Sequence, residues 1–264
     1  MKLLRFRHNN QIHVGVLTPE GVLPFPSNDL LALIQAGAHP VLAGAPIPLA
    51  DVTPILPYDV PPKIWCIGLN YHSHALDINA VQPEQPGSFM KPASCMFAPE
   101  GEIILPPSAV SEDVDAEGEL AIIIGKTVKG LASLDEAHDA IFGYTTTLDL
   151  TALDVLAKNP RYLTRAKSMD TFFSFGPVIV TKDEIADVDD LEVITEHNGT
   201  VWSRDFVRNM KHRPLELVRF HSQAMTLYPG DIISTGCPKG ARIKSGDTVR
   251  ARIEGLGTLG ASVR

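Results

Sequence analysis

Beyond residue 63 the apolar positions come mostly in short β-branched runs, at 64–67, 119–124, 178–181, 191–196, 231–234 and 248–253, each bounded by Gly, Pro, Asn or Asp. Runs of that length and composition predict strands. Helical spacing is confined to two stretches, 134–140, which leads into a further strand at 141–144, and 215–224, where Leu215, Val218 and Leu227 share a face and Glu216 sits in the first turn. At the start, residues 2–25 alternate as short strands broken at His8-Asn9-Asn10-Gln11 and Pro19-Glu20-Gly21, and a helix over 29–35 is opened by Ser27 or Asn28 as cap. Prolines then crowd positions 40–62, as in an extended connector. The pattern predicts a small N-terminal αβ module with a Pro-rich connector at 1–60 and a larger domain at 61–264. Strands outnumber helices and do not alternate with them, so the expected class is α+β, β-rich, with a mixed sheet that rolls up or closes like a barrel.

A chain of 264 residues buries a substantial core, and 44% apolar with 20% charged residues is an ordinary globular balance. The net charge of −8 and the lack of a dense Lys/Arg cluster argue against a nucleic-acid partner, and they suit a protein that holds a cation. No apolar run approaches a membrane span and the N-terminus has no apolar signal core, which leads to the expectation of a cytoplasmic protein without a membrane partner. Cys66, Cys95 and Cys237 are odd in number and lack paired metal spacing, so buried thiols are expected at all three.

Candidate chemistry concentrates at Asp115-Ala-Glu117-Gly-Glu119, which opens the apolar run at 120–124. Residues i and i+2 of a strand project from one face, so Glu117 and Glu119 converge. Two such carboxylates need a cation, or one takes up a proton; a solvated strand end is the other reading. Asp149, which interrupts the Gly143-Tyr-Thr-Thr-Thr-Leu-Asp-Leu150 run, is a plausible third acid, and an all-oxygen set suits magnesium, calcium or manganese rather than zinc. In the segment Gly68-Leu-Asn-Tyr71-His-Ser-His74-Ala-Leu-Asp77, a helical turn places Asp77 at i+3 from His74, where it can orient the imidazole as a general base; an incidental surface pair is the alternative. Lys91 and Lys167 stand beside small or hydroxyl residues near expected strand ends and offer point charges to a carboxylate. The loop Thr235-Gly236-Cys237-Pro-Lys-Gly240 lets a ligand approach the backbone closely, though without the spacing of a nucleotide-binding loop.

Taken in order, these segments resemble the fumarylacetoacetate hydrolase family. The resemblance is carried by Ile67-Gly-Leu-Asn-Tyr-His-Ser-His-Ala75, Asp115-Ala-Glu-Gly-Glu-Leu-Ala121, residues 143–149, Lys167-Ser-Met-Asp-Thr-Phe172, Gly176-Pro-Val-Ile-Val-Thr181, Pro229-Gly-Asp-Ile-Ile-Ser-Thr-Gly236 and Ile253-Glu-Gly-Leu-Gly-Thr-Leu259. It implies a Mg²⁺ or Mn²⁺ site made by Glu117, Glu119 and Asp149 within the family's β-rich roll, and a homodimer. It further implies a short lid helix carrying the catalytic pair His74 and Asp77, Lys167 facing the bound ligand, and substrate contacts from Tyr71, Lys91, Thr235, Gly236 and Cys237. The substrates it implies are small 2-oxo acids. Reactions of the family share an enolate beside a carboxylate, a charge that a divalent ion stabilises.

The expected activity is hydrolysis of a carbon–carbon bond in an acylpyruvate or related 2-oxo acid, with decarboxylation of an oxaloacetate-type acid or isomerisation of a 2-hydroxy-dienedioate as the alternative. Three departures from the family pattern bear on that choice. Asp77 stands where Glu is usual, Cys237 replaces the second threonine of Thr-Gly-Thr-Pro, and Val201-Trp-Ser-Arg204 stands where a glutamine commonly follows Asn198-Gly199. The first two weaken a water-activating dyad and remove a hydroxyl donor, and so favour the alternative mildly.

Overall fold

The structure, a computed structural model, describes residues 1–37, 44–77 and 80–264, with residue 77 described by its backbone alone. In chain order the elements are β1 (Lys2–His8), β2 (Gln11–Thr18), β3 (Gly21–Pro24), α1 (Leu30–Ala36), β4 (Thr53–Pro54), β5 (Ile64–Gly68), α2 (His72–Asp77), β6 (Gly87–Lys91) and β7 (Gly101–Ile103). The middle of the chain forms β8 (Val114–Ile124), α3 (Leu134–Ala140), β9 (Ile141–Ala152), α4 (Leu153–Lys158), α5 (Leu163–Lys167), β10 (Phe173–Phe175) and β11 (Val178–Thr181). The last third adds β12 (Glu192–His197), β13 (Thr200–Phe206), α6 (Pro214–Ala224), β14 (Ile232–Ser234), β15 (Ala241–Ile243), β16 (Thr248–Ile253) and β17 (Gly257–Val263). The fold is α+β and strand-rich, as the pattern of short apolar runs predicted.

Two mixed sheets carry the molecule. The large one runs β3-β2-β1-β11-β9-β8-β14-β5-β6, with β4, β10 and β15 attached to β1, β9 and β8, and the smaller runs β13-β12-β16-β17-β7. Strands β8 and β9 form the spine: all eleven residues of β8 are buried, so both of its faces are covered and its apolar half shows no polar alternation. Gly118 lies where β8 meets the second sheet, and a Cβ there would fall 2.7 Å from Thr195 Oγ1 and 3.1 Å from Ala251 Cβ. Glycine between the two glutamates thus lets the sheets approach while the carboxylates project from the other face.

The large sheet runs across the division expected near residue 60. β1 pairs antiparallel with β11 from Lys2–Val180 to Leu4–Val178, and the N-terminal amine meets the Thr181 hydroxyl. The described part of the Pro-rich stretch is tied down too, since β4 pairs with β1 and Ile47 bridges Val22; residues 38–43 of that stretch lie outside the described residues. Helix α1 is capped by Asp29, whose carboxylate accepts from the Ala32 amide at 3.0 Å, rather than by Ser27 or Asn28. Ser133 and Glu136 close a capping box on α3, which packs against α6. No helix of the described residues is long and apolar enough to cross a membrane.

Candidate active site and cation centre

Strand β8 extends five residues further toward the N-terminus than the run at 119–124, and this places Asp115, Glu117 and Glu119 in one strand. By strand parity all three project from one face. The β8–β9 register sets Glu117 opposite Asp149, Asp115 opposite Thr151 and Glu119 opposite Thr147, so the acid expected as third ligand lies beside the pair. All four carboxylate residues are buried, between 1% and 7% exposed.

Each carboxylate is held by specific donors. Glu117 accepts from Thr151 Oγ1 at 2.8 Å and from Lys167 Nζ at 2.9 Å. Glu119 Oε2 accepts from Ser234 Oγ at 2.5 Å and from the Gly236 amide at 2.9 Å. Gly236 has φ +93° and a Cβ there would fall 2.9 Å from Asn70 Cβ, so glycine is required where the loop turns its amide to the carboxylate. Asp149 is bound through both oxygens, Oδ1 by Lys91 and Oδ2 by Lys167 Nζ at 3.2 Å. Asp115 Oδ1 is buried without a hydrogen-bond partner among the described residues.

Charge follows from this crowding. With all four ionised, the buried carboxylates exceed the two buried ammonium groups by two negative charges, the amount one divalent cation carries; without a cation, protons take its place. Burial, and then the charges of Asp149 and Glu117, push Glu119 up to about 8. Asp115 is pushed up to about 7 by burial and by Glu117. Burial alone would lower Lys167, but Asp149, Glu117 and Glu119 outweigh it and hold the ammonium well above its usual range. In the cation-free cluster Lys167 is therefore held as an ammonium.

A cavity of about 940 Å³ opens onto this cluster. Asp115, Glu117, Lys167 and Cys237 form its acidic and basic floor, and His74 from α2 lines its wall. Leu153, Leu156 and Leu163 of α4 and α5 supply apolar lining, and Trp202, Lys239 and Arg242 line it from the segments around β13 and β15, with Arg242 opposite Asp115 in the β8–β15 register. Trp202 is fastened by its indole N–H to the Gly240 carbonyl at 2.8 Å. The donor atoms of Glu117, Glu119 and Cys237 lie within 4.8 Å of one another, a spacing suited to one metal ion. The buried, under-neutralised carboxylates and the unpartnered oxygen of Asp115 fit a divalent cation.

The structure brings Glu117, Glu119, Asp149, Lys167 and Cys237 together, with His74 on the same cavity. Four other expected residues are placed differently. Lys91 does not line the cavity; it is buried behind Asp149 and also donates to the Leu150 carbonyl at 3.1 Å. Tyr71 is fully buried in a bridge to Met210, and the Thr235 hydroxyl is turned to the Leu120 carbonyl at 2.8 Å. Gly236 acts through its amide on Glu119. Lys167 ends α5 rather than a strand. The Asp77 side chain, and with it the His74–Asp77 pair, lies outside the described residues. Sequence reasoning gave no role to Asp115, Thr151, Ser234, Trp202 or Arg242. Parity with Glu117 was the available signal for Asp115, and for Thr151 it was the position two residues after Asp149.

The profile described as fumarylacetoacetate (FAA) hydrolase C-terminal matches residues 63–264, and the chain belongs to this family. It is 47% identical over 200 residues to an uncharacterized protein of Methanocaldococcus jannaschii, covering 75% of this chain and 81% of the relative. It is 34% identical over 287 residues to the oxaloacetate tautomerase FAHD2B, mitochondrial, of Homo sapiens, covering 98% and 90%. Among solved structures, 2-hydroxyhepta-2,4-diene-1,7-dioate isomerase from Mycobacterium marinum superposes with a TM-score of 0.80 at 34% identity, covering 100% of this chain and 98% of that one. Maleylpyruvate hydrolase from Sphingobium sp. SYK-6, in complex with manganese(II) ion and pyruvate, does so at 0.79 and 27% identity, with the same coverage.

Proposed function

We propose that the protein is a divalent-cation-dependent enzyme that shifts a proton on a small 2-oxo dicarboxylic acid of the oxaloacetate class, interconverting keto and enol forms. The observation that carries this reading is the buried carboxylate–lysine cluster opening onto a cavity that His74, Lys239 and Arg242 also line. Glu117 and Glu119 would hold the cation, Mg²⁺ or Mn²⁺, with Asp149 in the same cluster; bound there, it supplies the charge that stabilises an enolate oxygen. Lys167 adds a second fixed positive charge on that side, preorganised by Glu117 and Asp149. Lys239 and Arg242 would supply positive charge for the distal carboxylate, Arg242 by exchanging its ion pair with Asp113, and the leucines of α4 and α5 would give the reacting carbons an apolar wall. His74 on the cavity wall would take the proton from the carbon next to the 2-oxo group and deliver it to the enolate oxygen, the reverse transfer restoring the keto form. The relative named as an oxaloacetate tautomerase and the neighbour named as a dienedioate isomerase support proton transfer.

Hydrolysis of an acylpyruvate is the second reading, supported by the neighbour named as a maleylpyruvate hydrolase. It demands more of the chain. Water must be activated by an oriented histidine, whereas proton transfer needs one acceptor and a stabilised enolate. The deciding experiment supplies Mn²⁺ and compares enol-oxaloacetate, fumarylpyruvate and acetylpyruvate with wild type and His74→Ala. Accelerated loss of enol absorbance, without CO₂ release and reduced about 10²-fold or more in His74→Ala, supports the tautomerase. Pyruvate plus a free acid from the acylpyruvates replaces it with the hydrolase, and CO₂ from oxaloacetate with the decarboxylase. The homodimer is part of the same proposal and is checked by light scattering.

A further inference from the structure

Cys237 follows Gly236 on the loop after β14 and is 4% exposed, facing the cavity floor. Its sulfur lies in the group with Glu117 and Glu119 whose donor atoms are mutually within 4.8 Å. Asp149, the acid expected to complete the set, does not fall within that group. A second observation points to a cation in the same cavity: Asp115, two residues before Glu117 on the same strand face and 6% exposed, has an oxygen with no hydrogen-bond partner among the described residues.

We propose that the Cys237 sulfur is a metal ligand together with Glu117 and Glu119, making a mixed sulfur–oxygen centre that favours thiophilic divalent ions such as Co²⁺, Zn²⁺ and Cd²⁺ over Mg²⁺. The inference rests on the cation-dependent reading above. Thiolate is a soft ligand that contributes little to binding Mg²⁺ and strongly to the later transition metals and cadmium. The thiol gives its proton to solvent as the metal–sulfur bond forms, and no electrons change hands. A threonine at this position offers only a hydroxyl, so the substitution changes the ion the centre prefers while leaving its carboxylates in place.

The test titrates the purified protein with Co²⁺ and follows two bands, the visible ligand-field absorption that reports a bound ion and the near-ultraviolet sulfur-to-cobalt charge transfer that reports a thiolate ligand. Expected is a charge-transfer band in the wild type that is absent from Cys237→Ser and Cys237→Thr, while both variants keep the visible bands. Competition by Cd²⁺ weakens at least about tenfold in Cys237→Ser, since even groups behind the ligands change metal affinity by that much, and competition by Mg²⁺ stays unchanged. Visible bands without charge transfer in the wild type would overturn the sulfur ligand and leave the carboxylate centre standing. Failure of the wild type to bind Co²⁺ or Mn²⁺ in equilibrium dialysis would overturn the cation centre itself.

Discussion

Replacing Lys91 by methionine isolates the electrostatics of the cluster, because Lys91 is held out of the cavity and its side chain has no exposed surface. Methionine keeps most of the length and removes the charge. Asp149 then loses one of its two ammonium partners and the Leu150 carbonyl loses a donor. Breaking a buried ion pair from one side destabilises by about 3–5 kcal/mol. Lys167 remains 3.2 Å from the other Asp149 oxygen, which puts the expected loss near the lower end, about 3 kcal/mol. In a chain of this size that corresponds to a fall in Tm of about 6–12 °C. The substitution also leaves three unbalanced negative charges in place of two, so Lys91→Met binds a divalent ion more tightly than the wild type and regains stability in its presence. Urea unfolding in EDTA and in saturating Mn²⁺ measures both effects, with Mn²⁺ affinity taken from calorimetry. A loss under about 1 kcal/mol in EDTA, or weaker Mn²⁺ binding by the variant, refutes the charge argument.

Further predictions concern pH, the loop and the lysine. Glu119 and Asp115 bind protons up to about 8 and about 7 in the fold, against ordinary values of 4.5 and 3.8. Their folded pKa values are raised, so the metal-free protein has their full contribution below about pH 4 and loses it as pH climbs to about 8; saturating Mn²⁺ removes the decline, because the cation replaces the protons. Tm scans from pH 5 to 8 with and without EDTA check this, and a metal-free stability that rises across the window contradicts it. Gly240→Ala places a Cβ 2.0 Å from Asp115 Oδ2 and 2.5 Å from its Cγ, so Asp115 must shift, at about 1–3 kcal/mol of stability; unchanged unfolding and Mn²⁺ affinity would contradict that geometry. Lys167→Met lowers kcat by about 10²–10³ and Lys167→Arg fails to restore it, because the pocket between Glu117, Asp149 and the Phe89 ring 4.9 Å away is closed around one ammonium. Steady-state kinetics on both variants decide it.

Much of the site's framework was legible in the chain. Glu117 and Glu119 were assigned to one strand face from spacing alone, and β8 places them there. The helices at α3 and α6 stood out because their apolar spacing or capping residues are local signals. Helices α4 and α5, six and five residues long, were not anticipated; segments that short carry too few turns to show a period, and their leucines line the cavity rather than one core stripe. The boundary near residue 60 reflected a real change in composition. Composition does not report that β1 adds its edge to β11, since that pairing joins residues 178 positions apart.

What the sequence determined by itself is the set of same-face relations, the strand-rich class and the family, all of which follow from short-range periodicity and motif order. The tertiary structure alone decided which donors meet which carboxylates. Lys91 and Lys167 reach Asp149 from a strand and a helix 76 residues apart in the chain, Ser234 and Gly236 come to Glu119 from β14 and the loop beyond it, and Cys237 arrives in the place next to both glutamates. Such pairings are set by the order of strands across a sheet, with β9 on one side of β8 and β14 and β15 on the other. Local residue preferences constrain each strand's faces but carry no information about its neighbours, because the energy that selects them is the burial and charge balance of the assembled core.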